Sequence, residues 1–257
     1  MAVQSNFHVY SLGVVAANKK LDSDLAYIYP TEVTSFTEGE LTAESFSAET
    51  GGVDREGNEY QLSVEENASL EAKWLPLGNT NRRTPPDVRR GERVLLWRNA
   101  DTDQFYWTSM GLDDHLRKLE TVVYSVSDTR DESKDSTHPD NSYSMEFCTH
   151  TKQVTLRTVK EDGEPFAYTF QFNAKDGGVV LTDDVGNYIE LDSADTVIRL
   201  ENRMGTHLYL DKKDILAFAP NEINMEASNR ILFTCGSSTI EMTPSNIKQV
   251  SPRIDLN

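Results

Sequence analysis

Between Asp211 and Val250 the apolar positions return every eighth residue. The run divides into DKKDILAF, APNEINME, ASNRILFT, CGSSTIEM and TPSNIKQV. Ile215, Ile223, Ile231 and Ile247 fall in one column, and Thr239, with Ile240 beside it, takes the remaining place. Within the blocks apolar residues alternate, as in Ile223/Met225, Ile231/Phe233 and Ile240/Met242. Alternation is the period of a strand and not of a helix. Each block therefore predicts a strand of about five residues closed by a short turn of Asn, Ser, Gly or Pro. Pro220 and Pro244 read as turn formers. Looser versions of the pattern occupy residues 188–191, 197–200 and 207–210.

An octad is shorter than the ~20 residues that a single-chain solenoid coil takes. No Asn-Gly or Asp-Gly pair joins the blocks as a hairpin turn. Three chains sharing each coil, one octad apiece, supply about 24 residues per layer. That arrangement turns the apolar column towards a common axis and covers the strand edges. The expectation is an all-β protein that ends in an intertwined homotrimeric β-helix or β-prism. Ile215, Ile223, Met225, Ile231, Phe233, Ile240, Met242 and Ile247 would line its axis. A plain antiparallel meander within one chain is the alternative.

Upstream, residues 7–16 and 25–29 predict two strands, followed by an acidic excursion over 31–72 that contains a hairpin with its turn at 54–58. Residues 74–77, 91–98 and 105–110 predict three more strands around the loop 79–87, NTNRRTPPD. Five short strands suggest a small closed barrel of OB-fold size, with Trp74, Trp97 and Trp107 as core. Residues 113–125 carry Leu116, Leu119, Val122 and Val123 at helical spacing after Asp113 and Asp114, which predicts a helix. Residues 127–142 are charged and nearly devoid of apolar side chains, the composition of a linker. Residues 143–182 alternate strands and turns as connecting hairpins, and residues 183–257 hold the expected spike. The domains are then a barrel with an acidic insertion and a short helix over 1–126, the linker, the hairpins and the spike.

Charge narrows the partners. The net charge of −17 disfavours phosphate backbones and anionic membrane surfaces. Residues 31–72 hold eleven acidic side chains and one Arg, whereas 82–98 hold Arg82, Arg83, Arg89, Arg90, Arg93 and Arg98 against Asp87 and Glu92. Arg82, Arg83, Arg89 and Arg90 are candidates for contacts with a neighbouring subunit or another protein, a solvated face being the plainer reading. Cys148 and Cys235 have no metal or redox spacing and read as free buried thiols. The N-terminus lacks the features of a signal peptide, and no apolar window reaches the 18 residues of a membrane span.

A small barrel followed by a short-period β-prism resembles the central, cell-puncturing spikes of contractile phage tail baseplates and the VgrG spikes of type VI secretion. The likeness is carried by LGVVAAN with LAYIYPTEV, by WLPLG and PPDVRRGERVLLWRNADTDQFYWTSMG, and by the octads. The resemblance implies a non-enzymatic virion protein, made in the host bacterial cytoplasm. It would be a trimer that docks on the baseplate hub and tail tube and contacts the host envelope transiently. Some relatives carry a lysozyme domain between barrel and prism, and residues 112–175 are short for one. Some tips close on a metal through His-x-His, a pattern absent among His8, His115, His138, His150 and His207. No metal or cofactor is therefore expected, and the tip is sealed by packing or by a separate capping protein.

Two other functions fit parts of the chain. A β-solenoid that binds or degrades host glycan would use converging carboxylates, with Glu190, Asp192, Asp195 and Glu201 as candidates. On alternating strands these read more simply as outward solubilising residues. An OB-type nucleic-acid binder would use Tyr106 and Trp107 as a stacking platform, against which the acidic surroundings argue.

Overall fold

The computed structural model describes residues 6–21, 23–33, 69–78, 80–111 and 120–254, together with the backbone of 46–53 and 59–66. Among these residues the protein is all-β apart from a 3-10 turn at Pro139–Asn141. Strands β1 (Phe7–Val15), β2 (Leu25–Pro30), β5 (Leu70–Trp74), β6 (Arg93–Asn99) and β7 (Phe105–Ser109) close a barrel in the order β1-β2-β5-β7-β6. Strands β3 (Phe46–Val53) and β4 (Glu59–Glu66) form a separate hairpin inside the acidic insertion; its turn at 54–58 lies outside the described residues.

The barrel is closed by alternation. Successive side chains of a strand point to opposite faces, so β6 sends Val94 and Leu96 inward and Trp97 outward. Val15, Ala26, Ile28, Ala72, Val88 and Trp107 complete the core. Trp107 is fully enclosed, and its indole N–H donates to the Asp24 carbonyl at 3.0 Å. That burial removes Trp107 from any base-stacking platform, and Tyr106 packs edge-on to Phe7. Trp74 flanks the core. Trp97 is not part of it: half-buried on the other face of β6, its indole stacks on Phe7 with ring centroids 5.4 Å apart, because Leu96 and Val94 hold the inward parity.

The second body is a nine-stranded antiparallel meander. It runs through β8 (Thr121–Ser127), β9 (Ser142–Cys148), β10 (Gln153–Arg157), β11 (Tyr168–Asn173), β12 (Gly178–Asp183), β13 (Tyr188–Asp192), β14 (Val197–Glu201), β15 (His207–Asp211) and β16 (Asp214–Phe218), each paired with its neighbours in sequence. A three-stranded sheet of β17 (Ile231–Cys235), β18 (Ser238–Met242) and β19 (Ile247–Val250) comes last.

Several expectations change here. Residues 121–125, expected as the end of a helix, belong to β8, where a run of β-branched and aromatic residues pairs with β9; residues 112–119 lie outside the described residues. The segment 128–141, read as a linker, is the loop between β8 and β9. The sheet runs unbroken across residue 183, where the spike was expected to begin. The strands are joined by hairpins within one chain, so every layer of β8–β16 is built without a second chain, unlike the coil of one octad from each of three chains.

Gly13 shows how tightly the barrel is packed. A Cβ there would meet Ile28 Cγ2 at 2.3 Å and the Tyr29 carbonyl oxygen at 3.4 Å. Ile28 is a stiff, fully buried, β-branched side chain. Gly13→Ala should therefore cost about 1–3 kcal/mol, read as a lower denaturant midpoint for the barrel at unchanged slope.

Candidate assembly surface

The registers of β8–β16 line up two ladders on one face of the meander. The first runs Tyr124, Met145, Leu156, Phe170, Leu181, Ile189, Leu200, Leu208, Ala217. The second runs Val122, Phe147, Val154, Phe172, Val179, Leu191, Ile198, Leu210, Ile215. No member of either ladder is charged. Among the described residues nothing covers them: Phe147 is 45% exposed, Ile189 48% and Ile215 74%. A groove of about 490 Å³ follows Leu181, Ile189, Leu200 and Leu208 along this face.

The opposite face is polar over β13–β15, where its groups are engaged, and carries the exposed Leu216 and Phe218 at β16. Arg199 donates to Glu190 at 2.6 Å. The Tyr188 hydroxyl donates to Glu201 at 3.3 Å, and so does that of Tyr209. The Glu201 carboxylate holds the Tyr209 phenol well above its ordinary pKa, with burial adding to the effect. His207 stacks between Tyr209 and Phe218, at 4.2 and 5.3 Å. The carboxylates weighed for glycan chemistry are thus occupied within the fold: Glu190 by Arg199, Glu201 by two tyrosines, and Asp192 by the amides of Ala194 and Asp195. Asp195 sits in the turn after β13.

Both margins of the meander are laced by bonds from one turn to the next. On one side Ala174 N–H donates to the Lys152 carbonyl, Ser193 N–H to Gly177 and Lys212 N–H to Thr196, at 2.8–3.1 Å. Lys152, Thr196 and Lys212 take positive φ of 54–60°, a conformation that usually calls for Gly or Asn. The sideways bonds offset that cost, which is why tight turns occur here without Asn-Gly. On the other side Asp183 accepts from the amides of Val185, Gly186 and Asn187 and from the Asn187 side chain. Asn187 in turn accepts from Arg203 N–H at 3.1 Å. Burial works to raise the Asp183 pKa, but its four donors outweigh this and hold the carboxyl below its usual range.

The expected axis residues divide between three places. Ile215 stands on the exposed second ladder. Ile231, Phe233, Ile240, Met242 and Ile247 share one face of the three-stranded sheet, through the pairs Ile231/Met242, Phe233/Ile240 and Met242/Ile247. Thr239 is on its other face. Ile223 and Met225 lie in the segment between β16 and β17, outside any strand. Cys148 is buried as expected, but Cys235 is exposed at the end of β17.

The arginines were only partly legible. Arg82 is not available to another protein: it forms a largely buried ion pair with Glu120, 38 residues away, and its backbone bridges to Tyr124. With Asn81, Arg83 and Thr84, which bond Ser125 and Val123, it covers the outer edge of β8. Arg89 pairs with Asp87 at 2.5 Å. The Arg83 side chain is exposed, as is Arg90. Among the described residues no group of three or more His, Cys, Asp or Glu could hold a metal, and no helix is long and apolar enough to cross a membrane. Compared with known proteins, the chain matches no family and no curated sequence.

Removing one partner of a buried ion pair strands the other charge. Arg82→Ala should cost about 3–5 kcal/mol, against less than ~0.5 kcal/mol for Arg83→Ala, in chemical denaturation. Asp183 gives a pH signature. Its lowered pKa contributes stability that is complete above the unfolded value of about 3.9 and is lost as pH falls through the folded value. The melting temperature of the wild type should therefore fall more steeply below pH ~4 than that of Asp183→Asn.

Proposed function

We propose that the chain is the trimeric central spike of a contractile tail baseplate, a structural protein and not an enzyme. The observation that carries this reading is the pair of uncovered apolar ladders across nine strands. Soluble monomers rarely expose so continuous an apolar face, and its full length repeats one pattern, which suits copies of the same chain. Strands of five or so residues make the sheet narrow, ~17 Å wide. Three such sheets with their ladders turned inward enclose a prism whose outer walls are the polar faces. Nine strands at ~4.8 Å spacing give a wall about 38 Å long.

The order of parts supports the particular role. A closed five-stranded barrel, read as OB-type, precedes the narrow sheet, as in the spikes that the sequence resembles. The barrels would form the collar on the hub and tail tube, with the exposed Arg83 and Arg90 among their contacts. The acidic polar walls would pass a phosphate-rich envelope without adhering.

Light scattering on the purified chain should give a mass near three chains, and the oligomer should resist SDS before heating. A monomer would overturn the reading. Leu191→Asp and Ile231→Asp should each abolish the trimer, since three carboxylates would meet in a dry interior. A normal heat-stable trimer from both variants would rule out the inward placement of these faces.

A further inference from the structure

Where the barrel meets the meander, a cavity of about 290 Å³ lies between the loop after β1, the segment 84–87 and the strands β8 and β9. Residues 84–88 make this junction. Val88 belongs to the barrel core, and its carbonyl accepts from Lys19 N–H at 3.5 Å. The Thr84 hydroxyl accepts from Val123 N–H of β8 at 3.0 Å. The registers that turn Val122 and Phe147 to the apolar ladders turn Thr121, Glu146 and Cys148 to the other face. The cavity is therefore on the side away from the ladders.

Two buried polar atoms in its lining lack a partner among the described residues, Asp87 Oδ1 and His150 Nε2. Asp87 is only 4% exposed, and Arg89 engages its Oδ2 alone. The Glu146 carboxylate, half-buried in the same lining, forms no hydrogen bond or ion pair among the described residues. Lys19 turns its ammonium to the carbonyls of Lys20 and Ser23, at 2.9 and 2.8 Å. The lining thus offers acceptors, and two carboxylates stand against one ammonium. A buried acceptor left without a donor costs free energy, and the cavity has many times the ~10–15 Å³ that one water needs.

We propose that this cavity binds a primary ammonium group on a short aliphatic stem, with Asp87 Oδ1 and the Glu146 carboxylate as its acceptors. An anion would meet both carboxylates. A neutral hydroxyl brings a single donor, whereas an ammonium brings three, and its bonds to a carboxylate are charge-assisted. His150 Nε2, in the tautomer protonated at Nδ1, is a further acceptor. Leu21 and Pro85 in the lining give the stem apolar contact. A free diamine and a lysine side chain of another protein both carry this group. The site does not depend on the trimeric reading.

Calorimetric titration of the whole chain with putrescine should show one saturable site per chain. Glu146→Gln and Asp87→Asn should each raise the dissociation constant about tenfold or more, as for one charge-assisted hydrogen bond. Glu132→Gln removes the same charge at an exposed position and should leave the constant unchanged. Glu146→Gln decides the matter if Asp87→Asn does not fold. Nα-acetyl-lysine amide separates the sources: saturable binding of it assigns a lysine side chain, and binding of putrescine alone assigns a free diamine. No saturable binding of either amine would overturn the proposal. So would a constant unchanged by Glu146→Gln, or one weakened equally by Glu132→Gln, which would mark general attraction to an acidic surface.

Discussion

A sheet with one oily and one polar face has to hide the first. In most folds a second layer from the same chain does so; among the described residues none covers β8–β16. Covering a half-exposed aliphatic side chain contributes roughly 1 kcal/mol, repeated along two ladders of nine positions. Over β13–β15 the polar face offers no competing surface, because its arginine, glutamates and tyrosines already satisfy one another. A one-residue slip of register would exchange the two faces, and the fixed turns prevent it.

Those turns give the sheet its second property. Backbone hydrogen bonds between strands point along the long direction of the wall, and the bonds between turns run in the same direction at both margins. A push along that direction loads ladder and lacing together. The strands themselves are short, so few residues move if one layer frays, and the layers on each side hold it through Asp183, Asn187 and their neighbours.

Most strands were legible because period-two alternation is strong where one face is wholly apolar, as in β13 to β15. The barrel was legible from its short spaced strands, and Trp107 as an aromatic strand residue of so small a barrel. Hairpins were expected over 143–182 but beyond residue 183 stood only as the alternative, because left-handed Thr196 and Lys212 carry no local signal: their support comes from a neighbouring turn distant in sequence. Residues 121–125 misled because Val122 and Val123 satisfy helical spacing as well as strand composition, and pairing with β9 decided between them. Arg82 looked like part of a basic surface, since its partner Glu120 is distant in sequence and no charge pattern announces it. Trp97 was placed in the core with the other strand aromatics of the barrel, whereas the inward parity of Val94 and Leu96 puts it on the other face of β6, half-buried.

The meander also bears on how the molecule comes into being. Each of its strands pairs with its immediate neighbours in sequence, so contact order is low and single chains should zip quickly once β8 is set against residues 81–84. In the proposed trimer, association is the slower stage and is of higher kinetic order, because the uncovered face would have to meet other copies. Until it does, the chain is most prone to non-specific association. The yield of that proposed assembly would therefore be governed by the concentration of newly made chains, and less by the speed at which any one of them folds.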